Sequence, residues 1–270
     1  MRVFAGSLLI SSILLLPMPA FSGVAEGIGK LESGDVAGSV KEFQTAFEAG
    51  DADGAFYIGR LFELGLGTDR DPMRATELYA AAAAQGSAKA QNRLGMLYLS
   101  GEGVLQDYSK ASDLICKAAD AGDANGQFNC GLLYSDGKGV SQDWAKALVY
   151  WNRAAGQHHV AAINYLGQAA QKAQGGPADP GKAFGYFQKT ASAGNPLGLF
   201  EIAKSYEQGS GIAADPVKAY AYANLAAARG LTEAATLRDR IAATLVAADI
   251  AEAQAMARDW KPVPIENASK

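Results

Sequence analysis

The chain repeats itself every 36 residues without a gap, and this periodicity limits its possible folds more than any other feature. Segments beginning at Ala52, Ala88, Ala124, Val160 and Pro196 stack so that Gly59, Gly95, Gly131 and Gly167 share a column, with Ala203 in the fifth. Asp71, Asp107, Asp143, Asp179 and Asp215 form a second column, and an alanine stands four residues after each, from Ala75 to Ala219. A unit this short cannot bury an apolar face alone. It gains a core only by stacking on its neighbours, so the array is the folding unit.

Each segment reads as two antiparallel helices. In the second, Leu94, Leu97 and Tyr98 recur at helical spacing over 88–100, and Gly101-Glu102-Gly103 then stops the helix, because glycine enters the left-handed region at little steric cost. Asp107 caps the following helix, and Pro72, Pro180 and Pro216 follow the equivalent aspartates at the one helical position where proline is welcome. Gly86, Gly122, Gly194 and Gly230 close the second helices. The Gly95 column, with Ala118 and Ala119 expected opposite, allows close helix approach. The composition agrees: 49% hydrophobic but only 9% aromatic residues means a core built from small side chains. A net charge of −4 with no basic run argues against a nucleic-acid partner.

The pattern Leu94-Gly95-x-x-Tyr98-x-x-Gly101-x-Gly103-Val104-x-x-Asp107-x-x-Lys110-Ala111, ending in Lys117-Ala118-Ala119-x-x-Gly122, resembles the Sel1-like repeat, a relative of the tetratricopeptide repeat. The resemblance covers residues 52–231 and implies an all-α, right-handed α/α solenoid of helical hairpins. Ahead of it, residues 23–51 read as a capping half-repeat, with Glu42, Phe43, Ala46 and Gly50 forming a second helix without its partner. Behind it, residues 232–261 read as closing helices ending at Trp260, and 262–270 as a flexible tail. The fourth repeat departs from the pattern at Ala170, Ala173 and Gly175-Gly176-Pro177, which predicts a looser unit or a bend.

Residues 1–22 read as a signal peptide: Arg2, an apolar Leu8–Leu16 stretch too short to span a bilayer, Pro17 and Pro19, then Ala20-Phe21-Ser22 before cleavage at Gly23. Cleavage after Ala25 is the other option, and an uncleaved anchor the alternative. Export, to a bacterial periplasm or outside the cell, is the expectation, with no membrane span left after signal removal. Cys116 and Cys130 each stand seven residues from Asp123, so antiparallel neighbours would place them at one level and permit a disulfide; the alternative is two buried thiols.

In solenoids related to this family the first helices line the concave, binding side. There the variable positions form one stripe at helical spacing: Tyr57 and Arg60, Arg93 and Met96, Asn129 and Leu132, Tyr165 and Gln168, Glu201 and Lys204. This mixture suits a protein or peptide partner, and solvated surface is the alternative. Some periplasmic relatives of similar size restrain a sensor kinase that controls surface polysaccharide; this chain resembles them in layout only, and envelope regulation is the narrower expectation.

No catalytic residue, metal or cofactor is assigned. His158 and His159 are adjacent and fall where other repeats place glycine and a polar residue, which predicts a helix-end role. The chain has no H-E-x-x-H, G-x-S-x-G or phosphate-loop motif. Ser135-Asp136-Gly137-Lys138 matches S-x-x-K, and some cysteine-rich relatives are linked to penicillin binding. A peptidoglycan-directed protein with weak β-lactamase-like activity is therefore the second reading, although the string spans a helix end and a glycine turn.

Overall fold

The computed structural model describes residues 23–265, and the expected signal peptide lies outside them. These residues form fourteen helices with no strand among them. An opening hairpin of α1 (Gly23–Glu32) and α2 (Val36–Glu48) leads into five repeats. These pair α3 (Asp53–Leu64) with α4 (Pro72–Ala84), α5 (Ala88–Ser100) with α6 (Tyr108–Asp120), and α7 (Ala124–Asp136) with α8 (Trp144–Gly156). The last two pair α9 (Val160–Gln171) with α10 (Pro180–Ser192), and α11 (Pro196–Gln208) with α12 (Pro216–Ala227). The closing helices α13 (Thr232–Ala242) and α14 (Ala247–Asp259) both pack on α12. The result is an α/α solenoid in which consecutive helices from α1 to α13 pack on one another. None of the described helices is long and apolar enough to cross a membrane.

The repeated aspartate does two jobs. Its carboxylate caps the second helix: Asp107 accepts from Lys110 N at 3.0 Å, and Asp71, Asp143, Asp179 and Asp215 do the same. Its own N–H crosses the turn to the first helix, from Asp107 to the Tyr98 carbonyl at 3.0 Å and from Asp143 to Tyr134 at 2.8 Å. The lysine three residues on then lies over that aromatic, with Lys110 Nζ 5.4 Å from the Tyr98 ring and Lys146 Nζ 4.9 Å from Tyr134. Cap and turn bond recur in all five repeats and the cation–π contact in four of them, and together these set the angle at which the hairpins close.

The glycine column serves a partner other than the one expected. A Cβ on Gly95 would lie 2.5 Å from Ile115 Cγ1, and one on Gly131 would collide with the Trp151 indole. The column thus makes room for a large buried side chain of its own second helix: Tyr79, Ile115, Trp151 or Phe187, each at most 1% exposed. In the fifth repeat two alanines stand at these positions, Ala203 and Ala223, both buried in one cluster. Ala118 and Ala119 instead face Gly126 of the next repeat, where an added Cβ would sit 3.0 Å from Ala118 Cβ.

The ends correct two further expectations. Residues 23–51 are not a half-unit, because α1 supplies the missing partner, and Gly27 packs on Phe43 as Gly59 does on Tyr79. The opening unit is a repeat with a shorter inner turn; glycine and aromatic stand sixteen residues apart rather than twenty, which hides it from the 36-residue register. The tail is not free from 262 onward: Val263 N donates to the Ser192 carbonyl at 2.8 Å, and the Arg229 guanidinium lies 4.6 Å from the Trp260 ring. Residues 266–270 lie outside the described residues.

The fourth repeat closes as its neighbours do. Ala173 takes the left-handed conformation (φ 59°) that glycine adopts in the other turns, and Asp179 N still reaches the Ala170 carbonyl at 2.9 Å. The departure is therefore a backbone cost borne by one alanine rather than a lost turn.

Cys116 and Cys130 form a disulfide between α6 and α7, with Cα atoms 5.1 Å apart. It closes a loop of 14 residues, the length at which a cross-link contributes about 3 kcal/mol. Replacing both cysteines by alanine is expected to lower unfolding free energy by about that amount, measured by denaturant titration, and reduction of the native chain should add two daltons to its mass. Gly131→Ala should cost about 2 kcal/mol, because the buried indole it meets is held by a Trp151 Nε1 bond to the Phe128 carbonyl and cannot swing away. An unchanged melting curve would remove the glycine column from this account.

Candidate functional site

The first helices of repeats one to three line a groove of about 500 Å³. From α3 come Phe56, Tyr57 and Arg60; from α5, Lys89, Asn92 and Arg93; Asp123 and Asn125 stand at the head of α7. Three stripe residues, Tyr57, Arg60 and Arg93, are thus brought together in one depression. Their positions follow from the stack, since column-mates 36 residues apart sit side by side on adjacent first helices.

Glu63, on α3, organises the charge beside this groove. It is only 11% exposed and receives Arg60 NH1 at 2.6 Å, the Tyr79 hydroxyl at 2.5 Å and an ion pair from Arg93. Burial pushes the Tyr79 hydroxyl up to about 12, against the opposing pull of Arg60, so at neutral pH it is a donor to the carboxylate. Burial, with Arg60 nearby, lowers the Arg93 pKa from its ordinary value. Arg93 Nε is buried without a hydrogen-bond partner. One repeat-to-repeat pair lies alongside: Lys89 binds Asp53, and its ammonium stands 5.9 Å from the Tyr57 ring. Burial opposes the Lys89 charge, but the Asp53 bond and charge outweigh it and raise the pKa.

Tyr57 stacks on Phe43 of the opening hairpin with ring centroids 5.0 Å apart, so one ring face is occupied. Asn129 donates to Asn92 Oδ1 at 2.9 Å, an amide link between repeats. Further along, the stripe turns inward. Met96 packs against the cluster of Ile115, Cys130 and Leu133, Leu132 against that of Trp151, and Tyr165 lies 5.2 Å from both the Trp151 and Phe128 rings. Gln168 is half-buried. Glu201 is 7% exposed and bound by Lys204 at 2.8 Å, and the Lys204 ammonium sits 5.3 Å from the Phe200 ring. The stripe thus also joins neighbouring repeats, a role the sequence did not suggest.

Phe56, Asn92, Asn125 and Asp123 were missed as groove residues, though Phe56 and Asn92 occupy the column just before Tyr57 and Arg93. Glu63 had no signal, since its column reads Leu99, Ser135, Gln171 and Glu207 in later repeats. A second hollow, apolar and about 780 Å³, lies between α2, α3 and α4, lined by Val36, Val40, Phe47, Phe62, Leu66 and Leu78 among others. The inner turn beside it reads Leu64-Gly65-Leu66, whereas the next repeats have Ser100-Gly101-Glu102 and Asp136-Gly137-Lys138.

Ser135 is 5% exposed near the end of α7, its hydroxyl donating to the Leu132 carbonyl at 2.9 Å. Lys138 pairs with Asp136 at 3.3 Å. Serine and lysine are each engaged elsewhere in the S-x-x-K string. His159 caps α9, its Nδ1 accepting from Ala162 N at 3.2 Å, as expected of a helix-end residue.

A chain of capped hairpins with a polar and aromatic groove across its first helices is a helical-repeat scaffold, the class of fold that typically mediates protein–protein interaction. The chain belongs to the Sel1 repeat family, whose pattern matches residues 52–87, 88–123, 124–159, 160–195 and 196–231. Among solved structures it is similar to a Sel1 repeat protein from Oxalobacter formigenes, with 26% identity, a TM-score of 0.73, and coverage of 80% of this chain and 86% of that one. It is also similar to a Sel1 repeat protein from Klebsiella pneumoniae, at 25% identity and a TM-score of 0.50 over 75% of this chain and 99% of the other. A protective antigen of uropathogenic Escherichia coli strains shares the fold at 21% identity and a TM-score of 0.56, covering 89% of this chain and 60% of that one. No curated protein matches.

Glu63→Gln should lower unfolding free energy by about 2 kcal/mol, on the small side for a broken buried pair because both arginines keep about a third of their surface exposed. Chemical denaturation checks this; an unaffected midpoint would show that the carboxylate is not the joint between repeats one and two.

Proposed function

We propose that this chain is an exported scaffold that holds a protein or peptide partner across the first helices of its solenoid, with Tyr57, Arg60 and Arg93 at the centre of contact. The supporting observation is the groove itself. It offers one aromatic residue pair, three cationic side chains and two asparagines from three successive repeats, within a volume suited to a few partner side chains. The arginines are held in place by Glu63, so little conformational entropy is lost when a partner arrives.

Export rests on the signal-like residues 1–22 and accords with a disulfide, which persists in oxidising compartments such as a bacterial periplasm or the medium outside the cell. Envelope regulation, including restraint of a sensor kinase, is the finer reading and rests on resemblance to exported relatives of similar layout.

Placement of a photo-crosslinking residue tests the groove. At Asn125, exposed at its edge, capture of a discrete partner in the native compartment is expected; at Glu77, exposed on α4 outside the groove, it is not. Equal capture from both positions would move the contact off the first helices.

A further inference from the structure

The outer turn between repeats three and four is built differently from the others. In five outer turns a glycine closes the second helix in the left-handed region, at Gly50, Gly86, Gly122, Gly194 and Gly230, with φ between 83° and 96°. Here His158 occupies that position at φ 61°, a conformation a side chain adopts only at a cost. The next residue differs too. Ser87, Asp123 and Asn195 cap their helices through side-chain oxygens, which have no proton to gain near neutral pH as capping acceptors. His159 caps α9 through an imidazole nitrogen.

This cap works in one protonation state. Nδ1 accepts from Ala162 N at 3.2 Å and so carries a lone pair, which places the single ring proton on Nε2, 3.3 Å from Asn125 Oδ1. The assignment follows from the hydrogen-bond partners. A second proton would go to Nδ1 and point at the Ala162 N–H, turning an acceptor into a donor at the positive end of a helix dipole. The half-buried ring stacks on Phe128 of α7 with centroids 4.8 Å apart. Asp123 at the head of α7 is the acid facing it, with its carboxylate engaged in capping Gly126 N at 2.6 Å. On the other sides are Gln157 and His158 after α8, and on α9 Tyr165, which meets Phe128 edge-on.

We propose that the joint between repeats three and four is an acid-sensitive hinge, in which protonation of His159 removes the cap of α9 and opens its first turn at a point already strained by His158. Burial holds the His159 imidazole below its ordinary pKa, against the pull of its own backbone and of Asp123, in keeping with this geometry. The sign follows from linkage. The closed joint prefers neutral histidine, so its stability is complete above the unfolded histidine value of about 6.5 and declines as pH falls through it. Because Asn125 and Asp123 also line the groove, the hinge lies at the end of the proposed contact surface, yet its behaviour can be read without any partner.

Amide hydrogen exchange on the full oxidised chain, followed by NMR and expressed as protection factors at about pH 7.5 and about pH 5, either side of the ordinary histidine value, tests it. The expected result is loss of protection at Ala162 and Ile163 on acidification, with none at Gly198, whose cap is Asn195. His159→Asn copies that cap without a titrating group and should hold α9 closed at both pH values. Equal acid loss at Gly198, or persistence of the α9 loss in His159→Asn, would overturn the proposal. Imidazole nitrogen shifts give a reading independent of any variant: a proton on Nδ1 at pH 7.5 in the native chain would also overturn it.

Discussion

Everything in this solenoid depends on two helices meeting where one of them has no side chain. The backbone of each first helix comes close enough to its partner that a single large residue, Tyr79, Ile115, Trp151 or Phe187, fills the space over a glycine. That contact sets the distance between the two helices of a hairpin, and the aspartate cap and turn bond set their angle. With distance and angle repeated, successive first helices lie side by side and their variable columns form a surface. In the fifth repeat Ala203 and Ala223 share one buried cluster instead, so there the helices pack without either the glycine or the large residue.

The surface made in this way is not simply free for binding. Cationic and aromatic side chains on the first helices already link one repeat to the next through Glu63, Asp53 and the Asn92–Asn129 pair. A half-buried ion pair of this kind contributes little net free energy, but it fixes where the guanidinium groups stand. The same side chains therefore stiffen the stack and remain partly exposed in the groove. Toward the C-terminal end the balance shifts to packing: Met96, Leu132 and Tyr165 join the core, and Glu201 is neutralised by Lys204.

The hairpins, their caps and their turns were legible in the sequence because each depends on residues close together in the chain. Asp107, Gly101 and Gly122 act within one or two turns of where they stand. The opening hairpin was not legible, because its inner turn is shorter and falls out of register, although Gly27 and Phe43 carry the same contact. The disulfide was half legible: equal distances from Asp123 put the cysteines at one level, but whether two thiols or a bridge resulted needed the facing of α6 and α7. Of the candidate contact residues, only Tyr57, Arg60 and Arg93 gather in one groove.

By itself the sequence determined the five repeats in register, the family and the boundaries of most helices, since hydrogen bonds and backbone preferences that span a few residues decide these. Only the tertiary structure decided which glycine faces which side chain, that Glu63 joins two arginines from different repeats, and that His159 rather than an oxygen caps α9. Such contacts join residues tens of positions apart, and their direction depends on the rotation of each helix about its axis, which a column of identical letters does not specify.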